Sequence, residues 1–307
     1  MEPRVFIRPR PYIHRQAMMI LVVGLLEYDS GKTSVATSLV RYARSKGIDA
    51  VGAKPVGGHD AWSQYQTLVR SLEIGMLVGE DAYKLWEVSD RCEPIELISP
   101  LDILTVPPDP RLYEDYWDYE ATSRSLLERA VLVRITRFKG GNSVTRHYVI
   151  DRNLRRTVPT LRREVEKLAR IVRAEHATPG DILRIAEEAT RHVDLAVKTL
   201  ASKHKLLVVE SFNDAACPSP ACLEADSVVL VAPGRAYVYR GRDYAKAVES
   251  LAASRGLHIV TGEVVRLLKP YASIELLPRV KKDLGKPLKD IECVFKFAAS
   301  RFVKSEC

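Results

Sequence analysis

The chain has 307 residues, 46% of them apolar and 28% charged, and a formal net charge of +8. That length and balance suit a folded protein with a sizeable buried core, and they exclude a disordered or collagen-like chain. No apolar run reaches the roughly 20 residues that a bilayer crossing needs, so no membrane partner is expected.

Residues 1–17, MEPRVFIRPRPYIHRQA, are basic and carry prolines but lack the apolar core of a secretory signal. They read as a disordered leader, or as the product of a misplaced start codon ahead of Met18 and Met19. Residues 19–24 read as an apolar strand. Residues 32–46 read as a helix with Val35, Leu39, Val40 and Ala43 on one face and Gly47 as its stop. IDAVGAKPV, 48–56, reads as a second buried strand, which makes a right-handed βαβ unit with a parallel pair. Residues 61–77 place Trp62, Tyr65, Leu68, Val69 and Leu72 at helical spacing, and 105–110, TVPPDP, is a loop. AVLVRITRF and SVTRHYVI flank Lys139-Gly140-Gly141-Asn142 and predict a β-hairpin. Residues 159–174 and 180–203 predict two helices, the second capped by Asp181.

Strands KLLVVE (205–210) and DSVVLVAP (226–233) follow. Then come a helix, YAKAVESLAASRG, a strand, LHIVTG, a short helix, VVRLLKPY, a last strand, ASIELLP, and a closing helix, KPLKDIECVFKFAASRFV. Strands alternating with helices imply an α/β fold with a doubly wound, mostly parallel sheet. The expectation is one domain over 18–307, with an insertion at about 110–175 that carries the hairpin. Five cysteines in this length are no disulfide framework. Cys217 and Cys222 lack a nearby histidine for zinc, so reduced thiols and a cytoplasmic location are expected. Amides are scarce (Asn142, Asn153, Asn213, Gln16, Gln64 and Gln66) and charges plentiful, a composition that fits a thermophile.

The chemistry concentrates in GLLEYDSGKTS, 24–34, between the first strand and the first helix. Backbone N–H groups and a helix N-terminus in such a place bind phosphate. Asp29, Ser30, Gly31, Lys32, Thr33 and Ser34 are the candidate nucleotide-binding residues. Gly31 permits close backbone approach, Lys32 reaches the terminal phosphates, and Thr33 offers a hydroxyl to Mg²⁺. Leu26 stands where the usual first glycine is expected, and Gly24 lies two residues earlier. Glu210 closes the apolar strand KLLVVE, a costly place for a carboxylate unless it serves a metal or a water. Asp214 is a weaker candidate. Lys54, in GAKPV, ends the second strand at the edge where open α/β sheets bind ligands. Gly57-Gly58 lead to His59, read as a solvated loop histidine, and to Asp60, a candidate to complete the Mg²⁺ shell.

SGKT, KPVGG, Ser99-Pro100 in ELISPLDIL, and VVESFNDA occur in the order and setting of dethiobiotin synthetase and its relatives in the SIMIBI class of P-loop NTPases, which the chain resembles. More narrowly, LVVGLLEYDSGKT is similar to archaeal proteins described as predicted P-loop ATPase/GTPase. The resemblance implies that Lys54 binds substrate and phosphate. It also implies that Thr33, an acid after Lys-Pro-Val matched here to Asp60, and Glu210 hold Mg²⁺. Where dethiobiotin synthetases have a glycine-rich loop and a histidine, this chain has Ser211-Phe212-Asn213-Asp214 and Leu101, so the ring-closing carboxylation is not implied. Glu27 stands where a dimer-bridging lysine would fall.

The expected activity is Mg²⁺-dependent nucleotide binding with ATP hydrolysis or phosphoryl transfer to a small acceptor, with Lys32, Lys54 and Glu210 as the catalytic set. ATP is favoured over GTP because no Asn-Lys-x-Asp segment occurs. Two alternatives stand beside it: a nucleotide switch or assembly factor acting on a protein partner, and a polynucleotide kinase or RNA-associated ATPase using the Arg-rich stretch 132–173. Aromatics there are sparse, which disfavours RNA. A homodimer is left open.

Overall fold

A computed structural model of the chain describes residues 17–255, 259–278 and 288–302. The leader expectation for residues 1–16 lies outside the described residues, as do Leu257 and His258 of LHIVTG and the two ends of the closing helix. In chain order the strands are β1 (Met18–Gly24), β2 (Ala50–Ala53), β3 (Val56–Asp60), β4 (Leu101–Thr105), β5 (Ala130–Lys139), β6 (Asn142–Ile150), β7 (Glu175–Ala177), β8 (Leu206–Glu210), β9 (Ser227–Ala232), β10 (Arg235–Arg240) and β11 (Ala272–Glu275). The helices are α1 (Lys32–Ser45), α2 (Tyr65–Ile74), α3 (Glu80–Val88), α4 (Ile95–Ile98), α5 (Tyr116–Arg124), α6 (Leu126–Arg129), α7 (Asp151–Arg155), α8 (Pro159–Ile171), α9 (Pro179–Lys203), α10 (Gly241–Arg255), α11 (Thr261–Val265) and α12 (Ile291–Ala298).

The strands form two sheets. The first has the order β11-β10-β9-β1-β8-β2. Its four strands β9, β1, β8 and β2 run parallel, and β10 and β11 add antiparallel pairs at one edge. Every residue of β1 and of β8 is buried, as a parallel sheet covered on both faces requires. Alternate residues go to opposite faces. Ile20, Val22 and Val208 pack with α1 and α12, whereas Leu21, Val23, Leu207 and Val209 pack with α9 and α10.

The second sheet has the order β3-β4-β5-β6-β7. Leu104, Leu132 and Val149 bury one of its faces against α2 and α8, and Ile103, Val133 and Ile135 bury the other against the N-terminal half of α9. The C-terminal half of α9 continues onto the first sheet through Ala196, Val197 and Leu200. The β5–β6 turn is the expected one, with Gly140 and Gly141 both at positive φ (58° and 84°).

Four expectations need correction. The strand 48–56 is broken. β2 stops at Ala53 and pairs with β8, while Val56–Asp60 pairs with β4 in the other sheet. Pro55 lies at the break, where a residue without an N–H cannot continue a ladder. β10 was not expected as a strand, although Ala236 and Val238 alternate inward along it. Val260 makes only an isolated bridge to Ala215, so its part of LHIVTG is not a strand. At the start of α9 the cap is Thr178, with Asp181 three residues on accepting the Thr178 N–H at 2.7 Å. No helix among the described residues is long and apolar enough to cross a membrane.

Candidate nucleotide and metal site

β1 ends at Gly24, and the chain runs exposed through Leu25–Asp29 before turning into α1. Two left-handed residues make the turn, Asp29 at φ 54° and Gly31 at φ 92°. Aspartate tolerates that region better than most side chains, and glycine occupies it at no steric cost. Ser30 and Lys32 are buried, and Lys32 Nζ donates to Ser30 Oγ at 3.2 Å. Gly24 takes part in this packing. A Cβ there would come within 2.5 Å of Ser30 Oγ and 2.8 Å of Lys32 Nζ. The glycine that looks displaced in the sequence is therefore the one that makes room for the lysine, whereas Leu26 is exposed and lines nothing tight. Burial and the neighbouring Lys54 pull the Lys32 ammonium below its ordinary pKa.

Beneath the loop, side chains from four separate places meet. Glu210, at the end of β8, is fully buried. Its Oε1 accepts from Lys54 Nζ at 2.9 Å and from Thr33 Oγ1 at 2.7 Å. Asp81, in the first turn of α3, takes the same two donors, Lys54 at 3.1 Å and Thr33 at 2.8 Å. Lys54 spends its third proton on the Ser211 carbonyl at 3.0 Å. Burial pulls the Lys54 ammonium down, but Glu210 and Asp81 outweigh it and hold the pKa above the usual range. For Asp81 burial pushes the carboxyl up, yet Lys54 and the Thr33 hydroxyl win and hold it low. Burial raises Glu210, which Lys54 only partly offsets.

Two carboxylates share the Lys54 ammonium, with the Lys32 ammonium close by. One hydroxyl proton on Thr33 serves two carboxylate oxygens, and Glu210 Oε2 is buried with no hydrogen-bond partner. A hard divalent cation fits these donors: Mg²⁺ is commonly held by one or two carboxylates, with phosphate oxygens and waters filling its octahedron. Among the described residues no three His, Cys, Asp or Glu side chains group as a metal cage, and the oxygen set here is two carboxylates and a hydroxyl.

The structure brings Lys32, Thr33, Lys54 and Glu210 together and leaves Asp60 out. Asp60 Oδ1 accepts the N–H groups of Trp62 and Ser63, and its Oδ2 accepts from Arg129 Nη2 at 2.5 Å and Thr105 Oγ1 at 3.1 Å. Its place beside Thr33 belongs to Asp81. Asp60 follows Lys-Pro-Val closely, but Pro55 sends that segment into the second sheet and carries Asp60 with it. Asp81 follows Glu80 in the first turn of α3, and an acid in a first helical turn is a recognisable signal. His59 is not solvated. It is buried, 2.6 Å from Thr67 Oγ1. Leu101 is buried on β4.

The chain is similar over 72 residues to ATP-dependent dethiobiotin synthetase BioD of Anaeromyxobacter dehalogenans strain 2CP-1, at 44% identity. It matches the same enzyme of strain 2CP-C at 42% and of Anaeromyxobacter sp. strain K at 40%, again over 72 residues. These stretches cover 23% of this chain and 25% of each relative. No family model matches the chain.

Proposed function

We propose that the chain binds a nucleoside triphosphate together with Mg²⁺ and works as an ATP-dependent enzyme that hydrolyses ATP or transfers its terminal phosphoryl group. The observation that carries this reading is the meeting of Lys54, Glu210, Asp81 and Thr33 beneath a strand–loop–helix turn that already holds Lys32. Residues Asp29–Ser34 cradle the phosphates, and Lys32 donates to the terminal ones. Thr33, Asp81 and Glu210 would hold Mg²⁺, which when bound supplies neutralisation of charge on the phosphate oxygens. Lys54 keeps the carboxylate pair in register and stabilises negative charge on the transferring group. ATP is preferred to GTP because the relatives of matching sequence are named ATP-dependent.

A small-molecule acceptor is favoured over RNA by the state of the arginines. Arg137 and Arg146 pair with Glu188 and Glu175, and Arg152 and Arg156 share Glu128, which leaves less free charge for a phosphate backbone. Titration calorimetry with ATP and with GTP in Mg²⁺ tests the reading. Wild type should bind ATP, and Lys32→Ala should bind about a hundredfold more weakly, as expected when one partner of a buried charged contact is removed. A folded wild type that binds neither nucleotide refutes it.

A further inference from the structure

The three residues that lead into α3 run through the interior, and side chains of the second sheet and of α2 hold their backbone. Leu77 N–H donates to His147 Nε2, on β6, at 3.3 Å. The Leu77 carbonyl accepts from Arg134 Nε, on β5, at 2.7 Å. Val78 N–H donates to Ser71 Oγ, on α2, at 3.0 Å. Gly79 N–H donates to Asp102 Oδ2, on β4, at 2.7 Å. Arg134 and Asp102 are wholly buried. Their side chains approach to 4.0 Å, too far for a close ion pair, and the hydrogen bonds they make go to the Leu77 carbonyl and the Gly79 N–H, while Arg134 Nη1 and Nη2 and Asp102 Oδ1 have no hydrogen-bond partner. The fit is tight at both glycines. A Cβ on Gly57 would come within 2.6 Å of Asp102 Oδ1, and one on Gly79 within 3.3 Å of the His59 ring.

Fully burying a carboxylate and a guanidinium costs several kcal/mol per ion unless geometry repays it. Here the return is position. Two residues beyond Gly79 stands Asp81, whose carboxylate meets Thr33 and Lys54. Arg70 on α2 pins the same turn by pairing with Glu80.

We infer that Asp102, Arg134, His147 and Ser71 are positioning residues for the metal-binding carboxylate: they clamp Leu77–Gly79 and thereby fix where Asp81 stands at the nucleotide site. This rests on the Mg²⁺–nucleotide reading above. The second sheet then acts as the scaffold that carries one ligand of a site built otherwise on the first sheet. Outer partners that orient a metal ligand commonly matter about 10–100-fold in metal affinity.

The test compares ATP affinity in Mg²⁺ with ATP affinity in EDTA. Two variants are used: Asp102→Leu/Arg134→Met, which removes both buried charges at once so that neither is stranded, and Ser71→Ala, a milder loss. Circular dichroism and thermal melting confirm folding. In the double variant Mg²⁺–ATP affinity should fall about tenfold or more, with metal-free affinity within about twofold of wild type. Ser71→Ala should fall in the same direction by less. In an Asp81→Ala background the double change should have no further effect on Mg²⁺–ATP binding. The inference is overturned if the folded variants bind Mg²⁺–ATP like wild type. It is also overturned if they lose affinity equally in EDTA, or if the loss persists without Asp81. Should the double variant fail to fold, Ser71→Ala decides by the same criteria. If wild type itself shows no Mg²⁺-dependent binding, the nucleotide reading falls, a result distinct from all of these.

Discussion

Two polar clusters lie on either side of the α3 N-terminus, and they differ in access and in what their side chains hold. Lys54, Glu210, Asp81 and Thr33 meet beside Lys32, and the Asp81 side chain is 39% exposed. Asp102, Arg134, His59 and His147 set one carboxylate against one guanidinium, with Asp102 and Arg134 at 0% exposure. The first has a way in and an unpartnered carboxylate oxygen, Glu210 Oε2, which is what a metal–phosphate site needs. The second is sealed, and three of its side chains, Asp102, Arg134 and His147, hold the backbone of Leu77 and Gly79, which is what a scaffold needs. Buried charge alone therefore does not mark a ligand site, and access from solvent separates these two.

The largest effect should come from unbalancing the sealed cluster. Arg134→Met strands the Asp102 carboxylate and should cost about 3–5 kcal/mol of stability, whereas Asp102→Leu/Arg134→Met should recover most of it. Urea unfolding of the two variants checks this. If the single change is as mild as the double, the cluster is not an electrostatic unit.

Acid should act on the same region next. Burial, and then the nearby Arg134, push the His147 imidazole down to about 3. The unfolded chain takes up that proton near pH 6.5. Between these values the unfolded state binds more protons, so stability falls as pH drops through the window and is untouched above it. His147→Gln keeps an acceptor for Leu77 N–H and should flatten the acid limb by about 1 kcal/mol per pH unit. Some slope should remain, because burial also lowers His59. Denaturation midpoints from pH 4 to 7 would show whether the limb flattens or stays.

The smallest effects belong to the loop. Gly24→Ala should displace Ser30 and Lys32 and weaken ATP binding about tenfold, a loss of roughly 1.4 kcal/mol. Leu26→Gly, which restores the more usual loop pattern, should change it by less than about twofold. Equal effects of the two would mean that Gly24 does not shape the lysine's seat.

What could be read from the sequence follows the same division. The loop, Lys32, Thr33, Lys54 and Glu210 were legible because each sits in a local pattern, an apolar strand ending in a turn or a charge. Asp81 was not, because 48 residues separate it from Thr33 and only the tertiary path through Leu77–Gly79 brings it back. The second sheet was hidden for another reason. Its first strand, VGGHD, carries two glycines and little β propensity, and its neighbour Lys54-Pro55 reads as a continuation of β2 until the missing N–H of proline is counted. The β10 alternation, RAYVYR between Gly234 and Gly241, was there to be read.

The most direct test of the account sets Asp81→Ala beside Asp60→Ala. ATP binding would be measured by calorimetry with and without Mg²⁺ in each. Asp81→Ala should lose the Mg²⁺ dependence and keep its metal-free affinity, while Asp60→Ala should retain the dependence of wild type. The reverse pattern, with Asp60→Ala losing it and Asp81→Ala keeping it, would contradict the site described here.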